Sequence, residues 1–307
     1  MTSIQAPSHR NATETRPRGA ARLKAALASL SLAVGATPFL LAPATVQAQE
    51  VISASPDITL ELGAGVVTSD HDVALDNQLG IVLLDDLGPL PETADVVGLA
   101  QDGAGNRLIA LDTATLLDDG LGGDFVARAG DVVTYDGAGY TKTFDATAAG
   151  IPSGVTTDAA TLNLSGLLLS FDTTVDLGGG LYAADEDLVL WDGAAFSMAF
   201  DGSAAGLDRA LDLDAGHALG GDAYLVSFDT SGSVGGIHFQ DEDLLRYVGG
   251  TWSLELDASS LDADWAAADL DAVQVPEPAF AMGLLLGCML LGWTVSPFST
   301  RGRVLGR

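Results

Sequence analysis

The sequence predicts an all-β domain of four repeats, each with about four short strands, followed by one transmembrane helix. Three observations predict the β domain. A stretch from Asp185 to Asp201 recurs 56 residues later from Asp241, several segments alternate apolar and polar residues, and the two ends of the region complement each other. A fixed period of this size indicates that one supersecondary unit is used several times.

Two weaker copies of the stretch lie earlier in the chain. Asp131 precedes Asp187 by the same 56 residues, and the weakest copy, which begins with Asp70 and Asp72, sits 59 residues before Asp131. The four copies define the four repeats.

Each repeat contains an acidic-led strand, such as Asp187 to Trp191, and a turn at Asp192-Gly193. Asp-Gly favours a tight hairpin. In the next segment Phe196, Met198 and Phe200 alternate with polar or small residues, which indicates a strand with one wetter face. Trp252, Leu254 and Leu256 repeat the pattern.

Two further motifs complete the repeat. Asp-Leu-Asp-Ala occurs at 212–215 and again at 269–272, and a Leu-Leu-Ser-Phe-Asp-Thr strand occurs at 168–173. The first repeat begins at Ile58 to Leu62, which we match to the Leu-Leu-Ser-Phe strand, and it lacks an Asp-Leu-Asp-Ala strand. The last repeat is followed by a surplus one. Pairing of the N- and C-terminal strands would close a four-bladed β-propeller without open edges; the alternative is a β-sandwich.

Residues 1–48 have the pattern of a signal peptide. Five basic residues precede an apolar run from Ala25 to Pro43. Val46-Gln47-Ala48 then forms a cleavage site, so that we expect the mature chain to start at Gln49. Because no twin arginine is present, we expect export through the general secretory (Sec) route.

The acidic β-repeat domain spans residues 49–275 and contains 40 acidic and five basic residues, a net charge of −35. Such a domain repels nucleic acid and anionic lipid, so neither is expected as a partner. Its own charges also repel one another, so that bound cations would stabilise it. The single cysteine, Cys288, lies outside the domain, which therefore depends on its core and not on disulfides.

Residues 276–307 form a tail of three parts. Val275, Pro276, Glu277 and Pro278 end the last strand, since proline cannot donate to a β-ladder. Residues 279–295 are uncharged and mostly apolar, which is just long enough for a transmembrane helix. The basic residues Arg301, Arg303 and Arg307 follow, as expected for a cytoplasmic end.

This tail resembles the PEP-CTERM sorting signal of Gram-negative bacteria, through Val275-Pro276-Glu277-Pro278, the apolar span and the arginines Arg301 and Arg303. The resemblance implies that an exosortase in the inner membrane processes the tail. It also implies that the helix anchors the chain only transiently, and that the protein then reaches the cell surface or the extracellular matrix with its exopolysaccharide.

Pairs of acidic residues are the candidate metal ligands. They precede a strand at one repeat position, and residues two apart on a strand point to the same face. Clustered carboxylates without His or Cys suit Ca²⁺ better than transition metals, so calcium is the one cofactor that the sequence suggests. The alternative is turn formation by solvated Asp. The candidate ligands are Asp70, Asp72, Asp185, Asp187, Asp241 and Asp243.

The sequence contains no recognisable catalytic motif. We therefore expect an exported, exosortase-sorted surface or matrix protein with a structural or interaction role and no enzymatic activity. A Ca²⁺-dependent carbohydrate-binding module that takes exopolysaccharide is the alternative. A glycoside hydrolase with paired carboxylates is the third hypothesis.

Overall fold

The structure is a computed structural model that describes residues 52–62, 65–76 and 82–275. The expected signal peptide with its cleavage site at Ala48 and Gln49 lies outside the described residues. The same holds for the expected Pro-Glu-Pro signal, helix and basic tail at 276–307. Within the described part of the chain, no helix is both long and apolar enough to cross a membrane.

The regular secondary structure of the described residues is almost entirely β-strand, which confirms the predicted all-β class. The first repeat contains β1 (Ile52–Pro56), β2 (Leu60–Leu62), β3 (Val66–Thr68), β4 (Ala74–Asp76) and β5 (Val82–Leu84). The second contains β6 (Val96–Gln101), β7 (Arg107–Leu111), β8 (Thr115–Asp118), β9 (Asp124–Ala127), β10 (Val132–Tyr135) and β11 (Tyr140–Phe144).

The third and fourth repeats follow the same plan. The third contains β12 (Thr157–Asn163), β13 (Gly166–Phe171), β14 (Val175–Gly178), β15 (Leu181–Ala183), β16 (Leu188–Trp191), β17 (Phe196–Phe200) and the short helix α1 (Gly202–Ala205). The fourth contains β18 (Leu213–Ala218), β19 (Ala223–Phe228), β20 (Gly232–Val234), β21 (Ile237–Phe239), β22 (Leu244–Val248) and β23 (Thr251–Leu256). The helix α2 (Ala258–Leu261), a 3₁₀ helix (Ala263–Ala267) and β24 (Leu270–Gln274) complete the described chain.

Each repeat contributes to one four-stranded antiparallel sheet, as predicted. The sheet orders are β24-β1-β4-β5, β6-β7-β10-β11, β12-β13-β16-β17 and β18-β19-β22-β23. The sequence did not predict a two-stranded hairpin that each repeat inserts between its second and third sheet strands. These hairpins are β2–β3, β8–β9, β14–β15 and β20–β21.

The first sheet takes one strand from the end of the described chain. β24 pairs antiparallel with β1, with Ala54 opposite Val273 and Ser55 opposite Ala272. The predicted pairing of the first and last strands is therefore present. The match of residues 58–62 to the Leu-Leu-Ser-Phe strand was wrong. The strand equivalent to Leu-Leu-Ser-Phe is β1, because Ser55 makes the contacts that Ser170 makes in β13. Residues 60–62 belong to the hairpin β2–β3.

Four strands, here called the inner strands (β6, β12, β18 and β24), bring the sheets together. β6 contacts β12, β12 contacts β18, β18 contacts β24, and β24 contacts β6. The approach of β6 to β12 is close, since a Cβ atom added at Gly98 would lie 2.7 Å from the backbone nitrogen of Ala160. Glycine is needed there because no other residue leaves room for the neighbouring backbone.

Aromatic side chains pack between adjacent repeats. The ring of Phe144 in β11 lies 5.8 Å from that of Trp191 in β16, and the ring of Phe200 in β17 lies 5.2 Å from that of Tyr247 in β22. Both pairs are edge-on, a favourable geometry for aromatic rings. The last strand of one sheet is thus packed against the third strand of the next.

The predicted alternation holds on the outer strands, with one departure. Phe200, Trp252 and Leu256 are buried, whereas Leu254 is 41% exposed. The register of β22 with β23 skips one residue between Leu254 and Leu256, which shifts the facing of the strand at that point. The predicted hairpin turn at Asp192-Gly193 is present, with Gly193 at φ 95°.

Candidate functional site

A carboxylate holds the turn before the third sheet strand in every repeat. In the third repeat, Oδ2 of Asp187 accepts the backbone N–H of Ala184 and Oδ1 accepts that of Gly202, both at 2.9 Å. Such hydrogen bonds replace those that a buried turn would otherwise lose. Asp72, Asp131 and Asp243 accept the equivalent N–H groups of Ser69, Arg128 and Gln240.

A buried serine on the second sheet strand fixes the same turn in three repeats. The hydroxyl of Ser170 donates to the carbonyl oxygen of Asp187 at 2.8 Å. Ser227 donates to that of Asp243 at 2.9 Å, and Ser55 to that of Asp72 at 2.7 Å. The serine of the Leu-Leu-Ser-Phe motif is therefore a structural residue of the turn.

The first aspartate of each predicted metal pair does not hold a turn, but raises the pKa of an aspartate next to an inner strand. Burial raises the pKa of Asp212 to about 7, and the charge of Asp185 is the next cause. The pKa of Asp269 is raised to about 7 by burial and then by the charge of Asp241. The charge of Asp70 likewise helps to raise the pKa of Asp95, after burial and the charge of Asp112.

The structure therefore divides each predicted pair between two tasks. Asp72, Asp187 and Asp243 hold turns, while Asp70, Asp185 and Asp241 lie beside a second group of carboxyl groups. Calcium on these pairs stays a prediction. Within the described ranges, no three His, Cys, Asp or Glu side chains converge as a ready set of ligands for one metal ion.

The second group, here called the carboxyl cluster, follows from the Asp-Leu-Asp-Ala motif. Three of its members occupy one position on the inner strands β12, β18 and β24, where the antiparallel register shifts by one residue. The other three, Asp95, Asp212 and Asp269, lie directly before an inner strand. The six members are Asp95, Asp158, Asp212, Asp214, Asp269 and Asp271.

Four further aspartates surround the cluster, here called the flanking carboxylates (Asp57, Asp112, Asp172 and Asp229). Each directly follows the second strand of a sheet, and its backbone N–H pairs with a carbonyl just before the neighbouring inner strand at 3.2 to 3.3 Å. The same end of every sheet therefore places carboxyl groups near the inner strands.

Burial dominates the electrostatics of the cluster. It raises the pKa of Asp95 to about 7 and that of Asp158 to about 8, with neighbouring carboxylates as the second cause. Burial raises the pKa values of Asp214 and Asp271 well above the ordinary range. The next cause is the charge of Asp269 for Asp214, and that of Asp214 for Asp271. Like charges in a poorly hydrated site disfavour ionisation of all of them.

Several oxygens of this region are buried without a hydrogen-bond partner. Among the described residues these include Oδ1 of Asp95, Asp112, Asp212 and Asp269. Asp271 is only 6% exposed, and its side chain lies against the carboxyl group of Asp95. Two ionised carboxylates can only accept hydrogen bonds, so this contact requires a proton or a cation between them.

Farther along the inner strands lies a layer of neutral polar side chains. The hydroxyl of Thr161 lies 3.4 Å from Nδ1 of His217, and both side chains are buried. Burial lowers the pKa of His217 to about 4, so that this imidazole is neutral near pH 7. Gln274, three residues after Asp271, is 4% exposed and its Oε1 has no partner among the described residues.

His71 lies 3.4 Å from the carboxylate of Asp70, and the ion pairs of Lys and Arg lie away from the carboxyl cluster. Lys142 contacts the buried carboxylate of Asp131 at 2.7 Å, and Arg107 contacts Asp85 at 2.8 Å. Arg246 pairs with Glu255 across two strands at 2.7 Å. The pairs of Lys142 and Arg246 lie within single repeats, whereas that of Arg107 with Asp85 joins the second repeat to the first.

A groove of mixed polarity lies beside the hairpin β14–β15. Tyr182 on this hairpin is 60% exposed, whereas Glu186 is 1% exposed. The hydroxyl of Ser203 donates to Oε1 of Glu186, and Oε2 of Glu186 is buried without a partner. Tyr182, Glu186, Met198, Asp201, Ser203 and Arg209 line this groove.

Sequence reasoning identified the Asp-Leu-Asp-Ala motif only as a strand. Its aspartates form the carboxyl cluster because four repeats bring the same strand end together, which no single repeat reveals. The cluster could have been suspected from one recurring feature, which is an aspartate directly before an apolar strand and a second one within it.

Comparisons with known proteins give only distant likeness. No family model matches this chain, and no curated protein matches it. A protein of unknown function from Bacteroides caccae is 11% identical, with a TM-score of 0.26, over 67% of this chain and 57% of that protein. The extracellular domain of a hybrid two-component system of B. thetaiotaomicron is 9% identical, with a TM-score of 0.28, over 66% of this chain and 33% of that structure. The chain thus spans less than two thirds of either structure, and these TM-scores do not establish a shared fold.

Proposed function

We propose that this chain is an exported, exosortase-sorted protein of the cell surface or extracellular matrix, whose repeat domain is a non-catalytic interaction module. The observation that carries this proposal is the repetition of the acidic strand end. Four repeats place equivalent aspartates at one end of the sheets, such as the flanking carboxylates. A binding surface that each repeat presents once suits multivalent contact, whereas catalysis needs one defined set of active-site residues.

The domain is proposed to be a four-bladed β-propeller. Two observations support this arrangement over a β-sandwich. The inner strands contact one another in a cyclic order, β6 to β12 to β18 to β24 and back to β6. The first sheet is completed by a strand from the far end of the domain, which is how a ring of small sheets avoids open edges.

The sorting part of the proposal rests on the resemblance of the tail to PEP-CTERM signals. The full chain would be produced in a Gram-negative host with an exosortase, and its distribution among inner membrane, cell surface and medium measured. We expect the wild type at the surface or in the medium and Glu277→Ala in the inner membrane. Thr300→Ala, outside the motif, is the matched control. An identical distribution of all three proteins would contradict exosortase sorting.

The interaction part is tested with exopolysaccharide purified from the same host. Binding of the full chain is expected to be weak for one contact but strong on a surface that offers many contacts, because linked sites raise the effective concentration. Equal affinity for a short oligosaccharide and for the polymer would contradict a multivalent module.

A second candidate function is a Ca²⁺-dependent carbohydrate-binding module, and the groove beside β14–β15 favours it. Exposed aromatic rings with nearby hydrogen-bonding groups, here Tyr182, Ser203 and Arg209, are suited to the apolar face and hydroxyls of a sugar. Binding to a glycan panel would be measured with calcium and with chelator. Tyr182→Ala should abolish binding, whereas Leu164→Ala, at an exposed loop position, should not.

A further inference from the structure

We propose that two neighbouring grooves form one cleft for an extended, uncharged polysaccharide chain. The first is the groove beside β14–β15, and the second lies beside β20–β21, the equivalent hairpin of the fourth repeat. Tyr182 and His238 contact the two ends of the bound stretch of polysaccharide, with Arg209 between them. The inference deepens the second candidate function, on which it rests, because it names the class of glycan and extends the site over two repeats.

The second groove has the size and the lining of a small-molecule site. Its volume is about 550 Å³, and that of the groove beside β14–β15 is about 460 Å³. Both lie within the range of ligand-binding clefts. Thr230, Ser231 and Ser233 supply hydroxyl groups to the second groove, His238 supplies an exposed imidazole, and Phe239 supplies a buried apolar ring.

One segment of chain, residues 208–211, separates the two grooves and lines both of them. Arg209 lines the groove beside β14–β15, whereas its neighbours Asp208 and Ala210 line the groove beside β20–β21. All three residues are exposed. The grooves are therefore adjacent, and a long ligand can pass over this segment from one groove into the other.

The two grooves present a planar ring at the same position of their hairpins. Tyr182 in β15 and His238 in β21 are 56 residues apart, and each is the exposed middle residue of the second hairpin strand. Val67 and Val126 occupy the equivalent exposed position in the first two repeats. Because an exposed ring suits the apolar face of a sugar, this comparison assigns the cleft to the third and fourth repeats.

Arg209 carries a positive charge that no group in the described part of the chain balances. Four of the five basic residues of the domain have side-chain partners, namely Arg107, Lys142, Arg246 and Arg128. Arg209 forms neither an ion pair nor a hydrogen bond with the described residues. In a domain with 40 acidic residues, the hydrogen-bond donors of this guanidinium group stay free for a ligand.

Hydrogen bonds hold the floor of the groove beside β14–β15 in place. Asp187 accepts the backbone N–H of Gly202 at 2.9 Å, and the chain packs so closely there that Glu186 leaves no room for a Cβ atom at Gly202. Glu186 lines the groove and is 1% exposed, and its Oε2 has no partner within the described ranges. A buried acceptor of this kind needs a donor, which a hydroxyl group of the ligand can supply.

The charges around the cleft favour an uncharged chain. Asp201 and Asp208 are exposed, and together with the large negative charge of the domain they repel a polyanion. A polycation is attracted to these acids but has to pass over the free guanidinium of Arg209. Sugar hydroxyls both donate and accept hydrogen bonds, so that a neutral chain can use the carboxylates as acceptors and Arg209 as a donor.

The test measures binding of the full chain, in mild detergent, to oligosaccharides of increasing length. Neutral oligosaccharides of glucose, mannose and galactose run from the disaccharide to the octasaccharide, and isothermal titration gives each affinity. A short sugar fills one groove, whereas only a longer one fills the cleft. We expect the affinity for at least one series to rise about tenfold with length and then to level off, a gain of about 1.4 kcal/mol.

His238→Ala is the discriminating variant. It should leave the affinity for the disaccharide unchanged and lower that for the octasaccharide by about tenfold. Arg209→Ala should weaken binding at every length, and Tyr182→Ala should abolish it. Val126→Ala, at the same hairpin position of the second repeat and 49% exposed, is the matched control and should bind like the wild type. Thermal unfolding checks that each variant is folded, as expected for exposed positions.

Equal affinity for short and long sugars, or an unaltered affinity of His238→Ala for the octasaccharide, would overturn the cleft and leave glycan binding by the third repeat intact. Polyuronate and glucosamine oligomers are tested in parallel, and binding of these charged chains alone would contradict the assignment of an uncharged ligand. If no glycan binds, both the cleft and the second candidate function fail. The sorting proposal is judged separately, by the localisation of Glu277→Ala.

Discussion

The backbone N–H of Asp269 donates a hydrogen bond to the carboxylate of Asp57 at 2.8 Å, across 212 residues of chain. The N–H of Asp57 donates in return to the carbonyl oxygen of Asp269 at 3.3 Å. This reciprocal pair lies where β24 joins β1, so that the first sheet depends on both ends of the domain. A local defect in β24 should therefore weaken the whole fold.

Leu270→Ala tests the contribution of β24. Leu270 is fully buried in the same core cluster as Ile52 and Ala54 of β1, and truncation of a leucine there should lower the free energy of unfolding by about 2–5 kcal/mol. Urea unfolding of both proteins would measure the loss. Leu254→Ala is the control, since Leu254 is 41% exposed and should change stability by less than about 1 kcal/mol. Equal effects would mean that β24 is not an integral strand.

Ser227→Ala tests the serine that fixes the acidic turn. The Ser227 hydroxyl donates to the carbonyl of Asp243 at 2.9 Å and is buried. Its removal leaves that carbonyl without this donor, which should cost about 1–3 kcal/mol. Thermal and denaturant unfolding would show the loss, and Ser253→Ala, on an exposed position of β23, should be neutral. A neutral Ser227→Ala would contradict the structural role of the motif serine.

The calcium-free protein should be less stable at pH 8 than at pH 5. The pKa values of Asp95, Asp212 and Asp269 are raised to about 7 and that of Asp158 to about 8 in the folded chain, by burial first. The unfolded chain releases these protons from about pH 4. Between about pH 4 and 8 the unfolded state binds fewer protons, so stability falls as pH rises.

Thermal unfolding in chelator at several pH values would measure this dependence. The charged groups facing the cluster are the flanking carboxylates, Asp70, Asp185, Asp241 and Glu242, and all of them are acids. His217 acts in the opposite direction below about pH 6.5, because its imidazole is neutral in the fold, with a pKa lowered to about 4, but gains a proton in the unfolded chain. One such group is outweighed by the four aspartates with raised pKa values. A double variant, Asp214→Asn with Asp271→Asn, should show a flatter profile, and a stability maximum at pH 8 for the wild type would contradict the prediction.

Phe200→Ala tests the packing between the third and fourth repeats. Phe200 is 4% exposed, and its ring lies near those of Tyr224, Tyr247 and Trp252. Loss of this side chain should cost about 3–5 kcal/mol and reduce cooperativity between repeats. Calorimetry would measure both, with Tyr182→Ala, at a 60% exposed position, as the control. A small loss with an unchanged transition would mean that the repeats do not depend on this contact.

Much of the fold could be predicted from the sequence because each repeat carries strong local signals. Apolar residues two apart, such as Phe196, Met198 and Phe200, indicated the outer strand, and Asp192-Gly193 indicated its turn. The surplus strand at 269–273 predicted the pairing with the first strand. The hairpins were missed because they are only three or four residues per strand and lack a regular apolar pattern.

The first strand and the candidate site were harder for a physical reason. β1 reads Ile-Ser-Ala-Ser-Pro, with small polar residues that are buried in the assembled domain, where β1 lies between β24 and β4. The aspartates of the carboxyl cluster likewise gain their raised pKa values from burial between repeats. Tertiary contacts of this kind have no counterpart in local periodicity.

The pairing of β1 with β24 also has a consequence for biogenesis. In a chain that crosses the membrane unfolded, the first sheet cannot form until Gln274 has emerged on the far side, and contacts over such a separation form slowly. Val275 is 8% exposed and the Pro-Glu-Pro residues come directly after it. In such a chain, completion of the domain would wait for Gln274, two residues before Pro276 of the proposed sorting signal.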